Sequence, residues 1–169
     1  TSLLCLVIAV SDGDTLKARC QDRRNGPDTT HVVRLASIDA PERDQPYGWR
    51  AKKALSDLTL RKPARLECRK RNDRYGRLLC NAWVTPASCI RSACEFTLDA
   101  GQAMLSVGLA WWEPRFAREQ AAQQRGQYEF AQQEAKAKGA GLWRDGDKAV
   151  PPWEWRRDQP GWPHASSAG

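Results

Sequence analysis

Residues 3–20 read LLCLVIAVSDGDTLKARC, two strand-like runs separated by Ser11-Asp12-Gly13-Asp14. An Asp-Gly pair between such runs signals a β-hairpin, because Asp and Gly accept the positive φ angles of a tight turn. A hairpin pivoting on Asp12-Gly13 sets Cys5 opposite Cys20, each equally far from the pivot. The aliphatic run Leu3 to Val10 falls well short of the about 20 residues a membrane helix needs, so it reads as a buried strand.

Outward from this hairpin the chain keeps the same grain. Gln21 to Thr30 is polar and contains Asn25-Gly26-Pro27, a loop. His31 to Ile38 is a third strand, ended by Asp39-Ala40-Pro41-Glu42, since Pro41 has no N–H for a ladder. Tyr47 to Leu60 carries Ala51, Ala54, Leu55 and Leu58 at helical spacing, with Pro63 as its stop. Ala64 to Arg69 and Leu78 to Val84 form two more strands around the turn Asn72 to Gly76. Cys68 and Cys80 are equidistant from Arg74 and so can face each other. Leu98 to Val107 and Arg118 to Lys138 are helical, and Gly139 and Gly141 end the second, with Trp143 packing back on the body. From Asp145 the composition shifts to Pro, Trp and charge, which predicts an extended tail. The expected division is a domain over 1–144 and a Pro/Trp-rich tail over 145–169. Five short strands with a helix between the third and fourth suit an α+β chain built on a five-stranded Greek-key barrel of the OB type, with three helices.

Composition narrows the partners. The 169 residues carry a net charge of +7, which favours an anionic partner such as nucleic acid. The six cysteines predict three disulfides, Cys5–Cys20, Cys68–Cys80 and a surface loop clipped by Cys89–Cys94. Structural zinc is the rival use, but no CxxC pair is present and the only histidines are His31 and His164. Disulfides place the chain in an oxidising compartment, secreted or periplasmic. A start at Thr1 fits an export signal already removed.

Asp14 lies at the hairpin turn, Arg34 inside an apolar strand, Asp39 and Glu42 just after it, and Arg77 after a turn. Taken singly, each has an ordinary reading: turn carboxylate, edge-strand arginine, cap, surface charge. Together they form a phosphodiester site. Asp14 and Asp39 offer hard oxygens suited to Ca²⁺ or Mg²⁺. Glu42 is left over as general base for a water. Two guanidinium groups match phosphoryl oxygens bidentately and balance charge growing there. One constraint follows from strand parity. Arg34 and Asp39 are five residues apart and would face opposite sides of a straight strand, so the strand must break before Asp39.

Asp12-Gly13-Asp14-Thr15, then Arg34-Leu35-Ala36-Ser37-Ile38-Asp39-Ala40-Pro41-Glu42, then Asp73-Arg74-Tyr75-Gly76-Arg77 resemble the staphylococcal nuclease (thermonuclease) family. Gly108-Leu109-Ala110 and Gly141-Leu142-Trp143 fit too, and the resemblance spans about residues 4 to 144. It implies a Ca²⁺-dependent enzyme acting on DNA and RNA, in which water attack expels the 5′ oxygen and leaves 3′ phosphates; the chain is expected to be a monomer. Asp14, Asp39 and the carbonyl of Ala40 would hold the metal. Glu42 would activate the water, Arg34 and Arg77 would clamp the phosphate, and Tyr75 would lie near the nucleotide. The family's best-known member has threonine at the position of Ala40, where only the main chain is needed. The stretch Trp111 to Phe116 falls where that member has nucleotide-binding tyrosines. Its aromatic rings either stack on a base or fill the core. The alternative functions are a non-catalytic nucleic-acid-binding barrel and a disulfide-clipped protein–protein module.

Overall fold

The computed structural model describes residues 1–21, 26–89 and 94–161. Parts of three sequence expectations lie outside these residues: the middle of the loop after Cys20, the four residues between Cys89 and Cys94, and the last eight of the tail.

The hairpin forms where the sequence places it. Strands β1 (Ser2–Val10) and β2 (Thr15–Cys20) pair antiparallel with Cys5 opposite Cys20. A bulge at Ile8 shifts the register by one residue near the turn. In β2 the alternation is clean: Leu16, Ala18 and Cys20 point inward, Lys17 and Arg19 outward. Strand β3 (Thr29–Leu35) pairs with β2, and β5 (Pro63–Cys68) pairs with β1. Strand β6 (Leu78–Val84) pairs antiparallel with β5 and parallel with β3, which closes the five long strands into a barrel. Closure leaves none of these five without a partner on either side.

Four helices lie among the described residues: α1 (Gly48–Thr59), α2 (Ala100–Ser106), α3 (Ala122–Ala137) and α4 (Pro152–Arg157). Two 3₁₀ segments, Pro114–Glu119 and Gly141–Lys148, join them. The barrel interior and the inner faces of the helices make one core, with Val7, Leu16, Val33, Leu35 and Leu66 meeting Leu55, Met104, Leu105 and Tyr128. In α1 the buried residues are Gly48, Ala51, Leu55 and Thr59, three and four apart, which is why this stretch is a helix with one inward stripe.

Several boundaries differ from the sequence reading; α3 begins at Ala122, and Arg118 lies in the 3₁₀ segment before it. Pro63 does not stop α1. The helix ends at Thr59 because Leu60 turns extended and Arg61 takes a φ of 60°, and Pro63 opens β5. Helix α2 begins at Ala100, because Leu98 and Asp99 form a short strand β7 on the edge of β6. The described residues after Asp145 are not extended throughout: a 3₁₀ segment runs to Lys148 and Pro152–Arg157 form α4. Pro152 sits at the first turn of α4, where its missing N–H costs nothing.

The disulfides pair as the hairpin symmetry predicts, Cys5–Cys20 and Cys68–Cys80, and Cys89 joins Cys94. The two Gly-Leu motifs belong together. Gly108 and Gly141 both have positive φ, and the Leu142 N–H donates to the Gly108 carbonyl at 2.8 Å. A Cβ on either glycine would strike the backbone of the segment opposite, so this crossing admits no side chain.

A buried polar cluster ties barrel to helices. Asp99 caps α2 by accepting from the Gly101 and Gln102 N–H groups. The Tyr128 hydroxyl donates to Asp99 Oδ2 at 2.7 Å and accepts from Asn81 Nδ2 at 2.9 Å. Burial pushes the Asp99 carboxyl above its ordinary range, and the hydrogen bond from Tyr128 pulls it down. Tyr128→Phe is therefore expected to cost about 1–3 kcal/mol by leaving that carboxylate short of a donor. A folded pKa raised further means stability lost as pH rises through it, so the penalty is expected to be larger near neutrality than in acid. Urea denaturation of both proteins at two pH values checks this; equal penalties would mean that Asp99 does not titrate with the fold.

Candidate active site

The strand break demanded by parity is present. Strand β3 ends at Leu35, Ala36 and Ser37 turn, and Ile38–Asp39 continue as β4, paired with β8 (Trp111–Trp112). Ser37 takes a φ of 66° to make the corner. Arg34 holds the corner shut: its Nη1 donates to the carbonyls of Leu35 and Ile38, both at 2.8 Å. The reversal lets Asp39 swing onto the side of Arg34, whose Nη2 lies 3.2 Å from Asp39 Oδ1 and 3.3 Å from Asp14 Oδ2.

Asp14 arrives from the hairpin turn. Asp12 accepts from its backbone N–H, an Asx turn. Gly13 sits so close to Ala40 and Ala51 that a Cβ there would lie 2.7 and 2.6 Å from theirs, so the turn needs glycine to press Asp14 onto the next segment. Asp14 Oδ2 accepts from the Ala40 N–H at 2.7 Å, and Oδ1 accepts from the Thr15 hydroxyl at 2.9 Å. Both aspartates are buried. Loss of water pushes Asp14 up to about 6, opposed by the Arg34 charge, and pushes Asp39 upward too, opposed by Arg156 and Arg34. Keeping two such carboxylates ionised at neutral pH costs folding free energy, and that cost falls away as pH drops below their raised values.

The five residues singled out by the sequence all line one cavity of about 810 Å³. Glu42 reaches it from the loop after Pro41, anchored by Gln45 Oε1, which accepts from the Glu42 N–H at 3.0 Å. Arg77 reaches it from the turn before β6. Asp73 accepts from the Tyr75 and Arg77 N–H groups and from Arg77 Nε at 2.6 Å, which aims the guanidinium. Against its partial desolvation, these donors hold Asp73 below the usual carboxylate range. Tyr75 is 63% exposed at the rim, its ring beneath Arg74 and Arg77.

The acceptor sites fit a hard divalent cation. Each carboxylate oxygen has two lone pairs. Asp14 Oδ1 and Asp39 Oδ2 each retain one unused, and no donor among the described residues reaches the Ala40 carbonyl. Two desolvated anions with spare oxygens, beside a main-chain carbonyl, form an oxygen donor set of the kind calcium takes. Among the described residues no three His, Cys, Asp or Glu side chains form a metal cluster, so the carbonyl and solvent would complete the shell.

The sequence reading missed Arg156, which forks onto Asp39 and Glu42, and the pair Glu113–Arg115 at 2.7 Å on the cavity wall. Periodicity could not flag either, because both reach the site by tertiary packing. Of the aromatic stretch, Trp111 is buried, edge-on to Trp143 at 5.3 Å, whereas Phe116 is partly exposed and lines the cavity.

A family model described as staphylococcal nuclease homologue matches residues 32–145. The chain belongs to the staphylococcal nuclease homologue family. An "uncharacterized endonuclease" of Haemophilus influenzae is 37% identical over 155 residues, covering 92% of this chain and 74% of that protein. A "micrococcal nuclease" of Shigella flexneri is 35% identical over 151 residues, covering 89% and 79%. A "probable staphylococcal-like nuclease" of Oryza sativa is 32% identical over 127 residues, covering 75% and 33%. The closed five-stranded barrel is the fold that the family resemblance implies.

Proposed function

We propose that this nuclease hydrolyses phosphodiester bonds of DNA and RNA with one Ca²⁺, by water attack at phosphorus. The observation that carries the reading is the convergence of Asp14, Asp39, Glu42, Arg34 and Arg77, from separate segments, on one cavity. Asp14, Asp39 and the Ala40 carbonyl hold the cation. When bound, the cation supplies positive charge that polarises a phosphoryl oxygen. Glu42 takes a proton from the attacking water. The water oxygen bonds to phosphorus, the bond to the 5′ oxygen breaks, and a 3′ phosphate remains on one product. Arg34 and Arg77 balance the charge that grows on the phosphoryl oxygens, and water in the cavity protonates the leaving oxygen. Tyr75 stacks or hydrogen-bonds near the nucleotide at the rim. Three disulfides favour an oxidising compartment, secreted or periplasmic, and the chain acts as a monomer.

The test uses the purified protein with single-stranded DNA and with RNA, in Ca²⁺ and in chelator. Cleavage in Ca²⁺ alone, with 3′-phosphate ends, is the expected result. Undiminished cleavage in chelator refutes the cation's role. Salt-sensitive binding without cleavage would favour a non-catalytic nucleic-acid-binding module.

A further inference from the structure

Helix α4 lies beyond the residues matched by the family model, yet it enters the site. Arg156 Nη1 donates to Glu42 Oε1 at 2.7 Å and to Asp39 Oδ1 at 3.2 Å, and its Nη2 donates to Asp39 Oδ2 at 2.7 Å. One planar guanidinium thus spans the two carboxylates that the nuclease reading assigns to cation and water. The approach is built rather than incidental. Gln45, whose Oε1 anchors the Glu42 backbone, donates through Nε2 to the Val150 carbonyl at 2.6 Å, just before the helix. Trp153 packs edge-on to Trp111, 6.3 Å between ring centres.

A cation in this place is either a plug or a brace, and acceptor accounting separates them. Asp39 Oδ1 is saturated by Arg34 and Arg156, but Oδ2 keeps a lone pair. Glu42 lines the cavity, and its Oε2 has no partner among the described residues. With Arg156 in place, then, Asp39 still has a site for a cation and Glu42 one for a water. A plug would have used both. Among the described residues Arg156 is also the only hydrogen-bond partner of the Glu42 carboxylate.

We propose that Arg156 is a positioning residue for phosphodiester hydrolysis, fixing the Glu42 carboxylate against Asp39, so that α4 completes the active site. The proposal rests on the nuclease reading. It separates cation binding from turnover. Removing a positive charge beside buried Asp39 leaves the acidic pair more attractive to a cation, so Ca²⁺ affinity holds or rises. Releasing Glu42 to other rotamers slows turnover, by about 10² for a misplacement near 1 Å.

The experiment compares the full chain with Arg156→Ala and Arg156→Lys. Ca²⁺ affinity is read by calorimetry without substrate, kcat and KM on single-stranded DNA, and melting temperature by circular dichroism. The expected pattern for Arg156→Ala is a lower kcat, a nearly unchanged KM and Ca²⁺ binding at least as tight as in the parent. Lysine, with one nitrogen for a fork, restores kcat only in part. Loss of turnover together with weaker Ca²⁺ binding and a lower melting temperature overturns the proposal in favour of packing alone. Tighter Ca²⁺ binding with faster turnover overturns it in favour of a plug. A parent protein that binds Ca²⁺ but cuts neither DNA nor RNA removes the nuclease reading itself, a different failure from these two.

Discussion

Arg34→Ala is expected to lose about 10³–10⁵ in turnover, the range of an arginine that stabilises phosphoryl-transfer charge. It is also expected to lose about 3–5 kcal/mol of stability, because it leaves buried Asp14 without its cationic partner and Asp39 with Arg156 alone. The two losses have different origins within one side chain. Nη1 closes the corner between β3 and β4 through two carbonyls, and Nη2 sits between Asp14 and Asp39. Arg34→Lys separates them. It keeps the charge between the aspartates, but one ammonium cannot reach both carbonyls and both carboxylates while also facing a phosphate. Stability is expected to return in large part while turnover stays low. Urea denaturation and single-turnover cleavage, at a temperature where each variant is folded, give the two numbers. Recovery of both by lysine would show that Arg34 contributes charge alone.

The barrel was legible because its determinants are local. Asp12-Gly13 sets the first hairpin, alternation sets β2, and the equidistant cysteines mark two registers that the strand pairing reproduces. The bulge at Ile8 was not legible, since nothing in an unbroken aliphatic run marks which residue will be skipped. Strand parity between Arg34 and Asp39 carried more than any motif in isolation. Two charges that must share a site but differ in parity require a corner, and Ser37 provides it. The helix boundaries were less legible. Leu98 and Asp99 look helical in sequence, but the C-terminal end of β6, past its pairing with β3, takes them as a strand, and Asp99 becomes a cap.

Arg156 was out of reach for a different reason. Its segment has no amphipathic period, and its composition matches a tail. What folds it is contact with Trp111 and Gln45, residues far away in sequence. Long-range packing of this kind also explains Trp111 itself. The ring that the sequence offers as a stacking platform is buried against Trp143 and Trp153, and the aromatic residues lining the cavity are Tyr75, Phe116 and Trp153.

Glu42→Gln isolates the chemical step from everything that holds the site together. Glutamine keeps the size of the side chain and an oxygen to accept from Arg156, and the backbone anchor at Gln45 is untouched. Neither the fold nor the aspartates proposed as cation ligands should notice the change. What is lost is the ability to take a proton from water, and turnover is expected to fall by about 10²–10⁴. Asp39→Asn supplies the contrast. It removes charge from the proposed donor set, so its first expected effect is weaker Ca²⁺ binding, and raising Ca²⁺ should recover part of its activity. No concentration of Ca²⁺ should recover Glu42→Gln. Ca²⁺ titrations of turnover for both variants, with calorimetric affinities beside them, distinguish base from ligand. Should Glu42→Gln keep more than about a tenth of parent turnover, under even the smallest contribution expected of a general base, the water is activated by another group.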